Sequence, residues 1–451
     1  SIFSTTTFYF YSSLMSLSSL SSAGGPNNGA GAGAGAAGAG DSDCVPPPHD
    51  TTGDPRRVQI FATGTGGRKK ASSCLGFRTL GRGRMSFLSK FICNLWVPAS
   101  TDQLLSAETQ LLNHGVQNFE ISNVPIQFRD YDNCHIRTLI KEKLGPKDND
   151  DIPLVLCHGY GSGIAGWYRN IDSLSTTSKV YAVDWLGFAG SSRPENGPRG
   201  LGIQGTEDWF VESLEEWRKE QGLEKFNLCG HSLGGYLSVC YAERFPDRLN
   251  ALILSSPVGV PDHDRRDPEA MKEWVAQQPL GRRMAFKTAM SLWEGGSTPG
   301  GVIRKLGPLG GKRLMSGYVE KRFGEDILKE PWGEYLYHNA ACTSVSGEAA
   351  LNELLTVGAW ARRPLHARLL NLDPALPVDF VYGDVDWMDH RHADRVAAEA
   401  ARLNPKRHMR VHVLGQAGHH LHMDNPTAFN ACVNALVARH RRRPFLGGMF
   451  S

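Results

Sequence analysis

Charged residues are missing from the first 40 residues of this 451-residue chain, which contain no Asp, Glu, Lys or Arg. Acidic residues are also missing between Asp54 and Asp102, where nine Lys and Arg residues occur. A low-complexity tract of this kind cannot bury a core, so residues 1–84 are predicted to form a disordered leader. Its acid-poor, serine- and arginine-rich composition is typical of an organelle transit peptide for mitochondria or plastids. The alternatives are a plain disordered tail and a reading frame that starts at Met85.

Long apolar runs, paired cysteines and a strong charge excess are also lacking. No stretch reaches the roughly 18 to 20 uncharged apolar residues that a membrane-spanning helix requires. The nine cysteines form no C-x-x-C pair. We therefore expect reduced thiols in an intracellular protein instead of a secreted disulfide framework. The formal net charge of only +3 gives no reason to expect nucleic acid as a partner.

Residues 85–115 are predicted to form amphipathic N-terminal helices. In MSFLSKFICNLW the bulky apolar residues recur at the spacing of one helical face, and they are Phe87, Leu88, Phe91, Ile92, Leu95 and Trp96. Polar residues, among them Lys90, take the other face. Such a helix suits a membrane interface, where we expect it to lie. The alternative is that the apolar face packs on the folded domain.

The rest of the chain predicts an α/β fold with an open, mostly parallel sheet and helices on both faces. Short, continuous apolar runs are typical of strands that are buried on both faces, and they occur at 153–159, 179–185, 225–232, 251–258, 377–384 and 409–415. About 120 residues separate the fourth run from the fifth, which is too long for a connection and predicts an inserted cap. The predicted boundaries are 116–260 and 376–440 for the two parts of the core, 261–375 for the cap and 441–451 for a basic tail.

The motif that carries chemistry is Gly-His-Ser-Leu-Gly at 230–234. It follows a predicted buried strand and precedes a predicted helix, which is the context in which G-x-S-x-G exposes a nucleophilic serine on a tight turn. We therefore predict Ser232 as the nucleophile. The alternative is a glycine-rich turn with a helix-capping serine.

A serine hydroxyl needs a base, and the base needs an acid that fixes its tautomer. In this fold the order along the chain is serine, acid, histidine. Asp386 follows the fifth run and is the predicted acid, with Asp384 and Asp389 as the reserves. His419 follows the sixth run and is the predicted base, with His420 as the alternative. A metal site in HHLH is not expected, because the adjacent histidines would point apart.

An acyl-transfer site also needs two N–H donors for the developing oxyanion. We expect one from the backbone of Leu233, directly after the nucleophile. The second is expected from the backbone of Tyr160 in His-Gly-Tyr-Gly at 158–161. His158 is expected to brace that loop, and Asp184 to shape a neighbouring one.

With these motifs in place, the chain resembles one branch of the α/β-hydrolase family. That branch contains the lipid-droplet coactivator of adipose triglyceride lipase, the N-acyl-phospholipid lysophospholipase, the yeast cardiolipin deacylase and their plant-type relatives. The resemblance runs in family order from about residue 95 to 440, in HGYGSGIAGWYRNID, VYAVDWLGFAGSSRP, EDWFVESLEEWRK, GHSLGGYLS, LWEGGSTPGGVIRKLGPLG, VYGDVDWMD and GHHLHMDNP. The leader has no counterpart.

The resemblance implies acyl-ester hydrolysis of phospholipids or lysophospholipids at a membrane or lipid-droplet surface, without a cofactor. The coactivator carries asparagine where this chain has Ser232, which favours an enzyme over a non-enzymatic coactivator. The family also implies a second reaction, an acyl-CoA-dependent lysophosphatidic acid acyltransferase that uses a His-x-x-x-x-Asp element, here His419 and Asp424. In that case acyl-CoA is a co-substrate. If His419 instead serves a triad, Asp424 is expected to cap the helix that begins near Pro426.

Overall fold

The computed structural model describes residues 99–146, 151–195, 197–262, 275–323, 326–341, 346–356 and 358–441. The predicted leader, the membrane-contact residues and nearly all of the basic tail lie outside the described residues. The membrane-contact residues concerned are Phe87, Leu88, Phe91, Ile92, Leu95 and Trp96. None of the helices in the described ranges has the length and apolar character needed to cross a membrane.

The described residues form a mixed sheet of eight strands. Two further strands, β7 and β8, pair as a small separate ribbon. In chain order the strands are β1 Glu120–Phe128, β2 Tyr131–Lys141, β3 Leu154–Cys157, β4 Val180–Val183, β5 Phe226–His231, β6 Leu249–Ser255, β7 Leu355–Thr356, β8 Trp360–Ala361, β9 Val378–Gly383 and β10 Met409–Leu414. The spatial order in the large sheet is β1-β2-β4-β3-β5-β6-β9-β10. In the large sheet β2 pairs antiparallel with β1 and with β4. All neighbouring pairs from β4 to β10 in this spatial order are parallel.

Helices cover both faces of this sheet. In chain order they are α1 Thr101–Gly115, α2 Ile171–Leu174, α3 Gly202–Glu220, α4 Leu233–Arg244, α5 Leu280–Glu294, α6 Pro299–Phe323, α7 Lys329–Ala341, α8 Ala350–Leu354, α9 His366–Asn371, α10 Arg391–Leu403, α11 Leu421–Asp424 and α12 Pro426–Arg441. Short 3₁₀ turns lie at Ile164–Trp167, Pro246–Arg248 and Gly347–Ala349. The α/β fold with a mostly parallel sheet is therefore confirmed.

The parallel strands lie where the continuous apolar runs predicted them. Strands β3, β4, β5 and β9 are buried at every position. Removing each large apolar side chain from water contributes about 1.5–3 kcal/mol to folding, so these short strands are held by burial on both faces. Helix α3 buries Trp209, Phe210 and Trp217 against the sheet.

Helices α5 to α8 lie between β6 and β9 in the chain. The longest of them, α6, contains a break at Gly307, whose φ of 64° lies in the left-handed region that favours glycine. Pro308 follows directly and cannot donate a backbone hydrogen bond to the preceding turn. The sequence Leu-Gly-Pro therefore divides α6 into two helical pieces.

Candidate active site

Ser232 occupies a strained turn between β5 and α4. Its backbone has φ 54° and ψ −117°, a conformation that costs a non-glycine residue about 1–3 kcal/mol. The turn is held by a hydrogen bond from the Ser232 N–H to the Ser255 carbonyl, 2.9 Å long, and by one from the Tyr236 N–H to the Ser232 carbonyl, 3.1 Å long. The serine side chain is thereby raised at the carboxyl end of the central strand.

The two glycines of the motif are required by close backbone approach. A Cβ atom on Gly230 would lie 2.3 Å from the Ser238 hydroxyl and 2.5 Å from the Gly234 carbonyl oxygen. A Cβ atom on Gly234 would lie 2.5 Å from the carbonyl oxygen of His158. All three distances are too short for any side chain, so the chain can turn this tightly only with glycine at these positions.

Three side chains from three loops form a continuous hydrogen-bonded chain at this edge. The Ser232 hydroxyl lies 3.0 Å from His419 Nε2, and His419 Nδ1 lies 3.1 Å from a carboxylate oxygen of Asp386. In the neutral ring this geometry fits Nδ1–H donating to Asp386 and Nε2 accepting from the serine. The structure thus brings together Ser232, His419 and Asp386, which are 187 and 33 residues apart in successive pairs.

The reserve residues have other partners. Asp384 accepts a 3.0 Å hydrogen bond from the Ala417 N–H, and Asp389 pairs with Arg391 at 2.8 Å. The ring centroid of His420 lies 5.5 Å from that of His419, and the serine contact is made by His419. The side-chain arrangement therefore favours Asp386 and His419 over their alternatives.

Asp386 is itself fixed by two donors. It accepts a 2.9 Å hydrogen bond from the Met388 N–H and a short one from the Ser256 hydroxyl. Burial opposes its ionisation, but the adjacent His419 ring and these donors hold the pKa of the carboxyl below its ordinary value. Ser256, which stands in the left-handed region with φ 44°, was not found from the sequence. The only signal was its position directly after a predicted strand.

Two buried histidines, His231 and His158, make hydrogen bonds to the backbone around the site. His231 Nε2 donates to the His419 backbone carbonyl over 2.8 Å. His158 Nδ1 lies 2.7 Å from the Gly159 carbonyl, and its Nε2 accepts from the Trp185 N–H at 3.2 Å. Burial lowers the pKa of His231 to about 3 and that of His158 to about 4. Both rings are therefore neutral at neutral pH, and their hydrogen bonds hold the backbone segments that they contact.

These shifts predict acid sensitivity of the fold. Between pH 6.5, the ordinary pKa, and about 3, His231 binds a proton in the unfolded chain but not in the folded one. The free energy of unfolding therefore falls as the pH is lowered through this window, by about 1.4 kcal/mol per pH unit for this ring. We expect His231→Gln to unfold with a shallower pH dependence between pH 6 and 4.5 than wild type. Chemical denaturation at a series of pH values measures this, and equal slopes would contradict it.

The Ser232 side chain opens into a cleft with mostly apolar walls. Tyr160 and Leu233 line it beside the serine, and the remaining lining residues are Val258, Trp293, Pro299, Leu351, Leu355, Ala359 and Trp387. Trp293 and Pro299 belong to α5 and α6, and Leu351 and Leu355 to α8 and β7. The segment between β6 and β9 therefore builds most of the walls of this apolar pocket.

A polar network ties the Tyr160 loop to the helices above the cleft. The Tyr160 hydroxyl donates to Glu348 over 2.9 Å, and the same carboxylate accepts from the Gly300 N–H at 2.8 Å. Arg304 of α6 pairs with Glu348 at 2.5 Å. Glu348 was not found from the sequence, because its partners lie up to 188 residues away.

The structure places Asp424 away from the His419 ring. Its carboxylate accepts a 2.9 Å hydrogen bond from the Gly418 N–H and forms a short ion pair with Arg322 of α6. The prediction that Asp424 caps the C-terminal helix is wrong. Helix α12 is capped by Asn425, whose side chain accepts from the Ala428 N–H at 3.1 Å. Asn425 directly precedes Pro426, the first helical residue, so the N-cap position falls one residue after Asp424.

Comparison with known proteins agrees with this fold. Residues 152–289 match the sequence profile described as the alpha/beta hydrolase fold. A probable 1-acylglycerol-3-phosphate O-acyltransferase from Oryza sativa subsp. japonica is 32% identical over 372 residues, which cover 78% of this chain and 84% of that protein. A human (lyso)-N-acylphosphatidylethanolamine lipase is 34% identical over 298 residues, covering 65% of this chain and 81% of the relative.

Solved structures support the fold alone, because their identity to this chain is low. A bacterial membrane phospholipase A matches with a TM-score of 0.52 and 20% identity, covering 76% of this chain and 92% of that one. The carboxylesterase CesB from Bacillus subtilis matches with a TM-score of 0.51 and 19% identity, covering 75% and 98%. The sequence relatives establish that the chain belongs to the α/β-hydrolase family, in the branch of the (lyso)-N-acylphosphatidylethanolamine lipases and the plant 1-acylglycerol-3-phosphate O-acyltransferases.

Proposed function

We propose that this protein is a serine acyl hydrolase that cleaves phospholipids or lysophospholipids through an acyl-enzyme intermediate. The observation that carries the proposal is the hydrogen-bonded chain Ser232–His419–Asp386 at the mouth of an apolar cleft. A nucleophile, a base and an orienting acid are the groups that ester hydrolysis needs. The proposed reaction uses no cofactor and no metal.

In the proposed first half-reaction, His419 Nε2 takes the hydroxyl proton of Ser232 as the serine oxygen attacks the ester carbonyl. The backbone N–H groups of Leu233 and Tyr160 stabilise the oxyanion, and Leu233 lies at the N-terminus of α4, where backbone amides favour negative charge. His419 then protonates the departing glycerol oxygen. Water, deprotonated by the same histidine, cleaves the serine ester in the second half-reaction. Asp386 holds the ring in one tautomer and stabilises its cationic form.

The substrate class rests on the cleft and on the relatives. Its lining is largely apolar, which suits one acyl chain better than a polar acid. The human relative is named for the hydrolysis of N-acylphosphatidylethanolamine and its lyso form. We propose that the protein works inside the cell at a membrane or lipid-droplet surface. In this proposal the contact is made by the segment that contains Phe87, Phe91 and Trp96, which lies outside the described residues.

The test is product analysis with the purified full chain. Lysophospholipids and diacyl phospholipids of several head groups are presented in mixed micelles, each with and without acyl-CoA. We expect free fatty acid to be released whether or not acyl-CoA is present. Acylation of lysophosphatidic acid that depends on acyl-CoA, with no release of fatty acid, would contradict the proposal.

A second candidate is an acyl-CoA-dependent lysophosphatidic acid acyltransferase that uses His419 and Asp424. It is supported by the names of the rice relative and of an Arabidopsis thaliana relative that is 34% identical over 358 residues. The geometry favours the hydrolase, because the imidazole contacts Asp386 whereas Asp424 contacts Arg322 and the Gly418 backbone. The two reactions differ in what they require of Asp424.

We expect Asp424→Asn to keep most of the hydrolytic activity, with a loss of less than about tenfold in kcat/KM. Its carboxylate supports the His419 loop but takes no part in the proposed proton transfer. Stability should fall by about 1–2 kcal/mol because a charged hydrogen-bond acceptor is lost. Asp394→Asn, which alters an exposed helical carboxylate, is the matched control. If Asp424→Asn abolishes activity while its thermal unfolding stays normal, the proposed hydrolase mechanism is contradicted and the acyltransferase mechanism with His419 and Asp424 is favoured.

A further inference from the structure

Three imidazole rings converge on one buried carboxylate at the edge of the sheet. The carboxylate belongs to Asp379, the second residue of β9. Its oxygens lie 2.7 Å from His440 Nε2, 2.9 Å from His412 Nε2 and 3.1 Å from His408 Nε2. All three histidines approach through the same ring nitrogen. No motif in the sequence marks this group, because its members are spread over 61 residues.

The backbone explains why the rings meet there. Strands β9 and β10 are parallel, and Asp379 is in register with Arg410. His408 and His412 stand two residues on either side of Arg410, so they lie on the same face of the sheet and flank the aspartate. His440 lies near the end of α12 and approaches from the helix that covers this face. Three separate segments therefore contribute to one cluster.

The cluster is removed from solvent. Asp379 is fully buried, His440 is 2% exposed and His408 is 6% exposed, while the side chain of His412 is 26% exposed. Burial opposes ionisation of Asp379, but hydrogen bonds from the three rings bring the pKa of its carboxyl far below the ordinary value. One donor would be enough to pair a buried carboxylate, and this one has three.

We propose that Asp379, His408 and His440 form a binding site for a divalent transition metal of the zinc class, with His412 as a hydrogen-bond partner of Asp379. Imidazole nitrogens with one carboxylate oxygen are a ligand set that zinc favours. The ligand atoms of Asp379, His408 and His440 lie within 4.8 Å of one another. Around tetrahedral zinc, with bonds of about 2.0–2.1 Å, neighbouring ligand atoms are about 3.4 Å apart. The contacts of 2.7 to 3.1 Å to Asp379 need to open by only a few tenths of an ångström.

The site is structural in this proposal. Three protein ligands leave one position of a tetrahedral shell for a water molecule, and all three are buried, which closes the site to a substrate. The ligands also join α12 to β9 and to the residue that leads into β10, which is the outermost strand on its side of the described sheet. A metal ion would therefore pin the C-terminal helix to the sheet edge and stabilise the folded chain, because it binds the folded state and not the unfolded one. The inference is independent of the proposed hydrolase activity.

The competing account is a hydrogen-bonded network without metal, in which each ring donates an Nε2–H to Asp379. In the network without metal each Nε2 carries a proton, whereas a metal-binding Nε2 must be deprotonated. Only the metal site binds a fixed number of zinc ions per chain. The purified full chain, stripped with a chelator and dialysed against zinc chloride, should bind one zinc ion per chain at the cluster, measured by elemental mass spectrometry. Zinc should also raise the thermal unfolding midpoint of the stripped protein.

Substitutions locate the bound ion. His440→Gln and His408→Gln should each weaken zinc binding by about tenfold or more and abolish the shift of the unfolding midpoint. His366→Gln is the matched control, because His366 pairs with Glu399 and is not a member of the cluster. His420→Gln tests the histidine-rich loop of the active site in the same way. Both controls should bind zinc as wild type does. A wild-type chain that binds no zinc, or zinc binding that survives in His440→Gln and His408→Gln, would overturn the proposal, and neither result depends on activity.

Discussion

Ser232→Ala should lose phospholipid and lysophospholipid hydrolysis by about 10⁴-fold or more. Without the hydroxyl no acyl-enzyme can form, and His419 has no nucleophile to deprotonate. The fold should survive, because the turn is held by backbone hydrogen bonds of Ser232 and by its flanking glycines. Fatty-acid release from micellar lysophospholipid measures the loss, and the thermal unfolding midpoint measures the stability.

The matched control for this change is Ser291→Ala, which removes the same atom from an exposed position on α5. It should keep wild-type activity. If Ser232→Ala retained more than about one hundredth of the wild-type rate, a serine nucleophile would be excluded. A histidine that activates water or a lysolipid hydroxyl directly would then be the better account of His419.

Asp386→Asn should lower kcat by about 10⁴-fold while leaving the structure intact. The amide has a similar shape, but its NH₂ group cannot accept from His419 Nδ1–H in the way the carboxylate does. The ring would turn to the tautomer that presents Nε2–H to Ser232, and this form cannot take the serine proton. The measurement is kcat on a soluble short-chain ester, which removes the effects of lipid surfaces.

Two neighbouring carboxylates serve as controls for this position. Asp384→Asn and Asp389→Asn change hydrogen bonds with Ala417 and Arg391, not with the imidazole. We expect each to lower kcat by less than about tenfold. A larger loss in either variant than in Asp386→Asn would show that the acid has been assigned to the wrong residue.

The fold could be predicted from the sequence because its determinants are local. A strand buried on both faces is a continuous apolar run, and LVLC, VYAV and VDFVYG each form a fully buried strand. The G-x-S-x-G turn is equally local, since glycine is required within two residues of Ser232 on each side. Asp386 and His419 followed because the carboxyl ends of neighbouring parallel strands meet at one sheet edge.

The parts that could not be predicted depend on contacts between distant segments. Ser256 contacts Asp386 across 130 residues, and Tyr160 contacts Glu348 across 188. Neither pair has a spacing that marks it in the sequence. The Asp424 prediction failed by one position, because the helix begins at Pro426 and its N-cap is therefore Asn425. Local rules therefore predicted the three side chains that the structure brings together, and the structure was needed to find the residues that hold them in place.

The most direct test of the central claim is covalent labelling of the nucleophile. The purified full chain and its His419→Ala variant are incubated with a fluorophosphonate ester, which phosphonylates an activated serine and releases fluoride. Intact-mass and peptide mass spectrometry then locate the adduct. The account predicts one adduct per wild-type chain, on Ser232, and a strongly reduced rate of labelling in His419→Ala. A wild-type chain that is unlabelled at Ser232, or labelled there equally fast without His419, would contradict it.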